Sequence, residues 1–413
     1  MKRVAVTGLG CITPIGNNVE EFWQNLINGK HGFREITKFD ASELKVRIAA
    51  EVKNFEPTQY IEKSELRKID LYAQYALCAA GQAIDESGIV DNVEPGRFGV
   101  YVGSGVGGIS TFMTEHEKML NKGPTRISPF YIPMMIANMA SGLVAMKYQA
   151  RGPNLPIVSA CATATHAIGE AFRAIKLGCA DAIIAGGADA TINPLAIGGF
   201  INATALSKSN DPDNCSVPFD KRRDGFVIGE GAGIIVLEEY EHAVKRDAKI
   251  FCEISGYGNT CDAYHITAPH PEAIGCSEVM RLAMDEAGLE ADERLYINPH
   301  GTSTPLNDKT ETLAIKKVFG DIAYKLPISA TKSMIGHMLG AAGGTEAIAA
   351  IKTIETGEIH PTIGYKEPDP DCDLDYVPNT ARKCDIDKAL SVSLGFGGHN
   401  AGIVFNKIVN GSK

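Results

Sequence analysis

A chain that repeats its own motifs in the same order has little freedom in how it folds, because each copy must build the same local unit and bury the same face. RVAVTGLG at residues 3–10 returns as FCEISGYG at 251–258, each an apolar run closing on Gly-x-Gly. AIDESGI at 83–89 returns as AMDEAGL at 283–289, each reading as the end of an amphipathic helix stopped by glycine. FGVYVGSG at 98–105 is matched by RLYINPHGT at 294–302, a strand running into a turn. IVSACATATHAIGEAFRAIKLG at 157–178 pairs with ISATKSMIGHMLGAAGGTEAIAAIKTIETG at 328–357. Four matches in one order predict two halves, residues 1–250 and 251–413, each alternating strands with helices in an α/β fold. The first half has an excess at about residues 107–146, read as an insertion that shapes a pocket or a subunit contact.

Composition narrows the class. With 44% hydrophobic and 22% charged residues the chain is of ordinary globular type. Its net charge of -10 gives no electrostatic footprint for nucleic acid or an anionic membrane surface. No run of about 18 apolar residues occurs, so no membrane span is predicted. The opening MKRVAVTGLGCITPIG mimics a signal peptide, but glycines and Pro14 interrupt it, and it reads as a first strand and turn. The 10 cysteines are scattered from Cys11 to Cys384 without a CxxC pair or metal-ligand spacing. They are expected to be mostly buried thiols in a reducing, cytoplasmic compartment, with no metal called for.

One cysteine stands apart. In VSACATATHAIGEA, residues 158–171, Cys161 lies among small residues where a strand turns into a helix, with Ala164, Ala167, Ile168, Ala171 and Ile175 at helical spacing and Gly178 as the stop. Ser159 is a plausible cap. In the first turn, unpaired N–H groups and the helix dipole would favour a thiolate. The flanking alanines leave room for a carbonyl, and the residue's own N–H could face an oxyanion. A core thiol is the other reading of this pattern alone.

The second half adds partners. NPHGTST places His300 at a strand end, and TKSMIGHMLGAAGG places Lys332 and His337 around a glycine-rich turn. GFGGHN, residues 395–400, is a further glycine-rich turn whose N–H groups could complete an oxyanion site, or an ordinary hairpin turn.

Together, SACATATHAIGEA, NPHGTSTPLND, TKSMIGHMLGAAGG and GFGGHN resemble the β-ketoacyl-[acyl-carrier-protein] synthases, decarboxylating condensing enzymes of the thiolase fold. The similarity runs from Val4 to Phe405 and is greatest to the elongating type of dissociated bacterial fatty acid synthesis. It implies a duplicated, five-layered α-β-α-β-α core and an acyltransferase. The thiolate of Cys161 would take an acyl group from the phosphopantetheine arm of acyl carrier protein. Malonyl carrier protein would then lose CO2, and its carbanion would attack the acyl-enzyme. His300 and His337 match the histidines that assist decarboxylation and stabilise the enolate oxygen. The N–H groups of Cys161 and Phe396 match the acyl oxyanion hole, and Phe396 also resembles the gating aromatic. Lys332 matches the lysine that organises the site, with Glu346 as its anchor and Asp308 in support. Thr302, Thr304 and Thr267 match residues that hold the pantetheine arm, while Val106 and Phe200 map to the acyl pocket.

The resemblance also implies a homodimer in which one subunit's insertion helps close the other's pocket. No cofactor is required beyond the arm on the carrier, although a structural Na+ or K+ near Asn298 and Glu346 is expected by analogy. An uncharged imidazole pair suits the chemistry, since each can donate to an enolate without protonating the carbanion. The chain departs from the family pattern at Pro299, His399, Leu394 and Val106, which bears on chain length and gating.

Other readings of these motifs exist. GSGVGG at 103–108 fits G-x-G-x-x-G, yet no acidic residue ends a strand about 20 positions on, so a dinucleotide site is disfavoured. A thioester hydrolase would leave Lys332 and the second histidine without a role. A non-catalytic partner subunit would typically lack the nucleophile, whereas a polyketide ketosynthase shares every motif. For docking, KSELRKID offers Lys63, Arg67 and Lys68 to an acidic carrier protein, or simply forms a solvated helix face.

Overall fold

The computed structural model describes residues 1–408. The first half supplies strands β1 (Val4–Ile12), β2 (Phe98–Gly103), β3 (Ala182–Asp189) and β4 (Gly231–Glu239), with helices α1 (Leu71–Ser87), α2 (Met139–Tyr148) and α3 (Thr163–Lys176). The second supplies β5 (Cys252–Cys261), β6 (Leu295–Asn298), β7 (Lys388–Gly395) and β8 (His399–Asn406), with α4 (Ile274–Ala287), α5 (Pro305–Phe319) and α6 (Ala342–Thr356).

These strands form one eight-stranded sheet in the order β2-β3-β4-β1-β5-β8-β7-β6. Adding four to each label of the first half gives the order of the second read from the opposite edge. The pairing senses repeat as well: β2–β3 and β6–β7 are parallel, while β3–β4, β4–β1, β7–β8 and β8–β5 are antiparallel. Each half is extended by a single parallel bridge, Val100 to Asn154 in one and Ile297 to Ile328 in the other. The halves join through a short antiparallel stretch, Val4 to Val6 of β1 against Ile254 to Cys252 of β5.

The Gly-x-Gly repeats have a packing cause. A Cβ at Gly8 or Gly10 would lie 2.0 Å from the carbonyl oxygen of Ala83 or Ala79 on α1, and one at Gly256 or Gly258 would lie 2.0 or 2.1 Å from those of Ala283 and Val279 on α4. Glycine lets each outer helix sit directly on its strand. Both helices end at left-handed glycines, Gly88 at φ 61° and Gly288 at φ 64°.

The layers follow from which faces are apolar. Helix α1 covers the outer face of the first half, and α4 with α5 covers that of the second. Helices α3 and α6 lie between, each touching strands of both halves. Three apolar clusters correspond to these spaces: one under α1, one around α3 and α6, and one under α4. The result is the five-layered α-β-α-β-α arrangement, with the two half-sheets continuous at β1–β5. Within residues 107–146, helix α2 packs on α1 as α5 packs on α4, so it belongs to the repeated unit. The excess of the first half is therefore confined to 107–138, which holds the helices Ile109–Lys122 and Tyr131–Met135.

Candidate active site

The C-terminal ends of β2, β3, β6 and β7 and the starts of α3 and α6 converge on one cleft of about 560 Å³. Cys161, His300, His337, Phe396, Thr302, Thr304, Thr267, Val106 and Phe200 all line it. Lys332, Glu346 and Asp308 lie behind, almost wholly buried. Chain segments more than 200 residues apart thus meet where strands hand over to helices, the usual place for a ligand in an α/β sheet.

Cys161 does not occupy the first turn of α3. It sits in a 3-10 turn, Ala160–Ala162, just ahead of that helix. Ser159 is not a side-chain cap. Its Oγ instead pairs with Nδ1 of His166 at 2.7 Å. Ala160 holds φ at 50°, so the chain turns sharply into the cysteine. The expected thiolate preference is also reversed: burial pushes the Cys161 thiol up to about 11, with the charge of Lys332 and the Phe396 N–H opposing. Cys252 and Cys276, equally buried but without such a cation, are held well above their ordinary value.

One polar atom from each of Cys161, His300 and His337 lies within 4.8 Å of the others. The imidazole planes stand at 83° with centroids 5.2 Å apart. Burial, and then the charge of Lys332, holds both rings well below the usual histidine range, so both are neutral near pH 7. Their tautomers follow from their partners. Leu339 N–H donates to His337 Nδ1 at 3.3 Å, and Lys332 Nζ lies 3.4 Å from His300 Nδ1. Each Nδ1 is an acceptor, which leaves Nε2–H as the donor on both rings. Sulfur and imidazole are also zinc ligands, but the Lys332 ammonium beside His300 repels a dication.

Lys332, 1% exposed, is paired with the Glu346 carboxylate. Burial raises the Glu346 carboxyl and Lys332 opposes it. Asp308 stays away from the reacting groups. It accepts from Phe219 N–H at 2.8 Å and faces Arg223 at 3.8 Å, tying the start of α5 to the loop that carries both. Thr302 and Thr304 share a 2.9 Å hydroxyl hydrogen bond on one wall, and Thr267 is exposed at the mouth. Val106 lines the cleft yet is 42% exposed, leaving that side open in a single chain.

GFGGHN is both things it could be: the hairpin turn between β7 and β8, and the wall beside Cys161. A Cβ at Gly395 would lie 2.8 Å from Ser159 O and 3.3 Å from Cys161 N. The KSELRKID segment is not a helix face. It contains a 3-10 turn, Leu66–Lys68, with Lys63 and Arg67 exposed and Lys68 held 2.7 Å from Glu65.

Three residues escaped the sequence reading. Glu311 accepts from the N–H groups of His300 at 2.6 Å and Gly301 at 2.8 Å, and burial pushes its carboxyl up to about 7. Asp189 accepts from Ser104 Oγ at 2.7 Å, Gly105 N–H at 3.0 Å, Val106 N–H at 3.3 Å and Gly340 N–H at 2.7 Å. Phe226 stands edge-on to His337, with centroids 5.1 Å apart, and shields it from water. Asp189 closes the apolar strand AIIAGGAD, a polar end that could have marked it; Glu311 carries no comparable mark.

Three oxygens, Asn298 Oδ1, Glu346 Oε2 and Ser391 Oγ, are buried without hydrogen-bond partners among the described residues. Asn298 and Ser391 face each other across β6 and β7, and α6 packs on both strands. Such hard donors fit a Na+ or K+ ion.

A buried thiol, two neutral imidazoles presenting Nε2–H and a buried lysine thus meet in one cleft between duplicated half-sheets. The chain belongs to the beta-ketoacyl synthase family: the model of its N-terminal domain matches residues 1–243, and that of its C-terminal domain residues 251–366. It is 50% identical over 408 residues to the 3-oxoacyl-[acyl-carrier-protein] synthase 2 of Synechocystis sp., covering 98% of each chain. The corresponding Staphylococcus aureus protein is 49% identical over 407 residues with the same coverage. Among solved structures, a beta-ketoacyl synthase from Burkholderia phymatum superposes with a TM-score of 0.92 at 35% identity, covering 99% of this chain and 100% of that one. A type II polyketide ketosynthase solved with its acyl carrier protein superposes with a TM-score of 0.90 at 35% identity and the same coverage.

Proposed function

We propose that this enzyme elongates acyl chains in dissociated fatty acid synthesis, condensing malonyl-[acyl-carrier-protein] with a thioester held on Cys161 to give a 3-oxoacyl product two carbons longer. The observation that carries the reading is the trio within 4.8 Å, in which both histidines are neutral and present Nε2–H.

In the first stage the Cys161 sulfur attacks the thioester carbonyl of the acyl carrier. The oxyanion is received by the N–H groups of Cys161 and Phe396, the carrier sulfur leaves, and the proton of Cys161 goes to it. In the second stage the malonyl C–C bond breaks and CO2 departs. The electron pair is held as an enolate by the two Nε2–H donors. The carbanion then attacks the acyl carbonyl, a C–C bond forms, and Cys161 leaves as thiolate, to be reprotonated from solvent. A fixed neutral donor pair suits this step because it stabilises the enolate oxygen without a transferable extra proton near the carbanion.

The substrates arrive on the phosphopantetheine arm of acyl carrier protein, which runs past Thr267, Thr302 and Thr304, while the acyl chain extends toward Val106 and Phe200. Exposed Arg67 and Lys63 offer positive charge to an acidic carrier on a chain of net charge -10. A homodimer is supported by the large apolar side chains exposed in and around the insertion, Phe112, Phe130, Ile132, Leu155 and Val158, together with the half-open wall at Val106. Asn298, Ser391 and Glu346 would hold a Na+ or K+ ion, whose charge would offset the buried carboxylate; a melting temperature that depends on either ion is the check.

The test is intact-protein mass spectrometry after mixing with an acyl carrier thioester. The reading expects an acyl adduct on Cys161 that disappears on adding malonyl carrier protein. An adduct lost equally fast in buffer alone would make the protein a hydrolase.

A further inference from the structure

One buried titratable side chain that the reaction does not use touches the segments carrying both oxyanion donors. His166 lies on α3 and is 5% exposed. Its Nδ1 is 2.7 Å from Ser159 Oγ, two residues ahead of Cys161. Its Nε2 is 3.1 Å from Asn259 Oδ1 on β5, a strand of the other half. The ring of His399, at the end of the turn that begins at Phe396, stands edge-on to the same ring with centroids 6.3 Å apart. Since the amide oxygen of Asn259 can only accept, Nε2 carries the proton and Nδ1 accepts from the Ser159 hydroxyl.

Ser159 is the root of the turn that presents the nucleophile. Its N–H donates to Thr163 Oγ1 at 2.9 Å and its carbonyl accepts from Ala162 N–H at 3.1 Å, so the intervening residues are held in a small closed loop. The same carbonyl lies against Gly395, where a Cβ would approach it to 2.8 Å. Rotating the Ser159–Ala160 peptide would therefore move the Cys161 N–H relative to the Phe396 turn. Locking the Ser159 hydroxyl onto an imidazole that is itself tied to β5 prevents that rotation.

We propose that His166 is a positioning residue for acyl transfer, holding the Cys161 and Phe396 N–H groups at a fixed separation through Ser159 on one side and Asn259 and the β7–β8 turn on the other. It touches neither substrate nor the reacting sulfur. The inference rests on the reading of those two N–H groups as the acyl oxyanion site.

The experiment compares two reactions of Cys161 in the intact protein. Acylation by an acyl carrier thioester needs the oxyanion site, whereas alkylation by iodoacetamide needs only the thiol. His166→Phe removes both hydrogen bonds at similar volume, Ser159→Ala removes one hydroxyl, and His166→Asn restores an acceptor near Nδ1. The expected result is single-turnover acylation lower by about 10- to 100-fold in His166→Phe and Ser159→Ala. Alkylation and the apparent KM for the carrier stay at their parent values, with partial recovery in His166→Asn. Equal losses of acylation and alkylation, or no loss of acylation, would overturn the proposal. If His166→Phe does not fold, the melting curve shows it and Ser159→Ala decides alone. Gly395→Ala serves as control: if it lowers acylation and the His166 and Ser159 variants do not, only the positioning role fails. If none of the three does, the oxyanion reading fails with it.

Discussion

Ala160 and Leu339 both hold φ at 50°, and each opens a 3-10 turn leading into a central helix, α3 or α6. Their successors, Cys161 and Gly340, are therefore counterparts in the two halves. Around Gly340 there is no room for a side chain: a Cβ would lie 2.4 Å from Gly105 N and 2.7 Å from Asp189 Oδ2. Asp189, the last residue of β3, accepts from the Gly340 N–H at 2.7 Å. Gly395, the last residue of β7, has no side chain to offer Cys161. The duplicated fold thus builds the same turn twice, caps one with the Asp189 carboxylate and leaves the other without a side-chain acceptor from the matching strand end.

Closing the open turn should stop acylation. Gly395→Ala puts a methyl group 2.8 Å from Ser159 O and 3.3 Å from Cys161 N. Loss of one oxyanion donor costs about 100-fold or more, and single-turnover acylation by an acyl carrier thioester should fall by that order, with a melting curve recorded alongside to separate this from the loss of stability that the displaced Ser159 backbone brings. An unchanged acylation rate would show that this N–H group is not used.

The Lys332–Glu346 pair should behave as a buried ion pair. Lys332→Met strands a charge and should lower folding stability by about 3–5 kcal/mol, most of it regained in Lys332→Met with Glu346→Leu, read by denaturant titration. Lys332 also draws the Cys161 thiol down from the value burial would impose, so its removal should shift the pH profile of iodoacetamide alkylation upward. A profile that stays in place would contradict the electrostatic role.

The histidines set the acid limit. His300 and His337 are held well below 6.5, first by burial and then by Lys332. A depressed histidine stabilises the fold above its unfolded pKa, and that contribution is lost as pH falls below 6.5, because the unfolded chain takes up protons the folded one refuses. Condensation by preformed acyl-enzyme should be flat over about pH 6 to 8 and should fall only at lower pH, with stability declining in the same direction. An inflection near 6.5 in the condensation step would mean that one ring titrates normally.

Carrier docking should depend more on Arg67 than on Lys68, since Arg67 is exposed and Lys68 is already paired with Glu65. Arg67→Glu should raise the apparent KM for carrier-bound substrate, most strongly at low salt, and spare small thioester analogues. Equal effects on both substrates would argue against docking there.

The duplication and the reacting trio were legible because each depends on short stretches with a strict local requirement. Gly-x-Gly marks strands on which a helix sits directly, and Cys161, His300 and His337 stand in turns at strand and helix ends that line the cleft, with Lys332 buried behind them. Asp189 and Glu311 were not legible, because what makes them important is reaching backbone N–H groups that only the tertiary fold brings near; Asp189 and Gly340 are separated by 151 positions. The thiolate expectation for Cys161 failed for a related reason. A turn beside a helix start speaks for ionisation, but the burial that opposes it is a property of the packed molecule.

Elongation requires that Cys161 carry an acyl group which the His300 and His337 site extends by two carbons. The most direct measurement mixes the enzyme with acyl carrier proteins bearing short to long acyl groups, adds malonyl carrier protein, and records the masses of all carrier-bound products. The expected products are 3-oxoacyl carriers two carbons longer than each accepted primer, and none with Cys161→Ala. Primers that are only hydrolysed, or elongation that persists in Cys161→Ala, would contradict this.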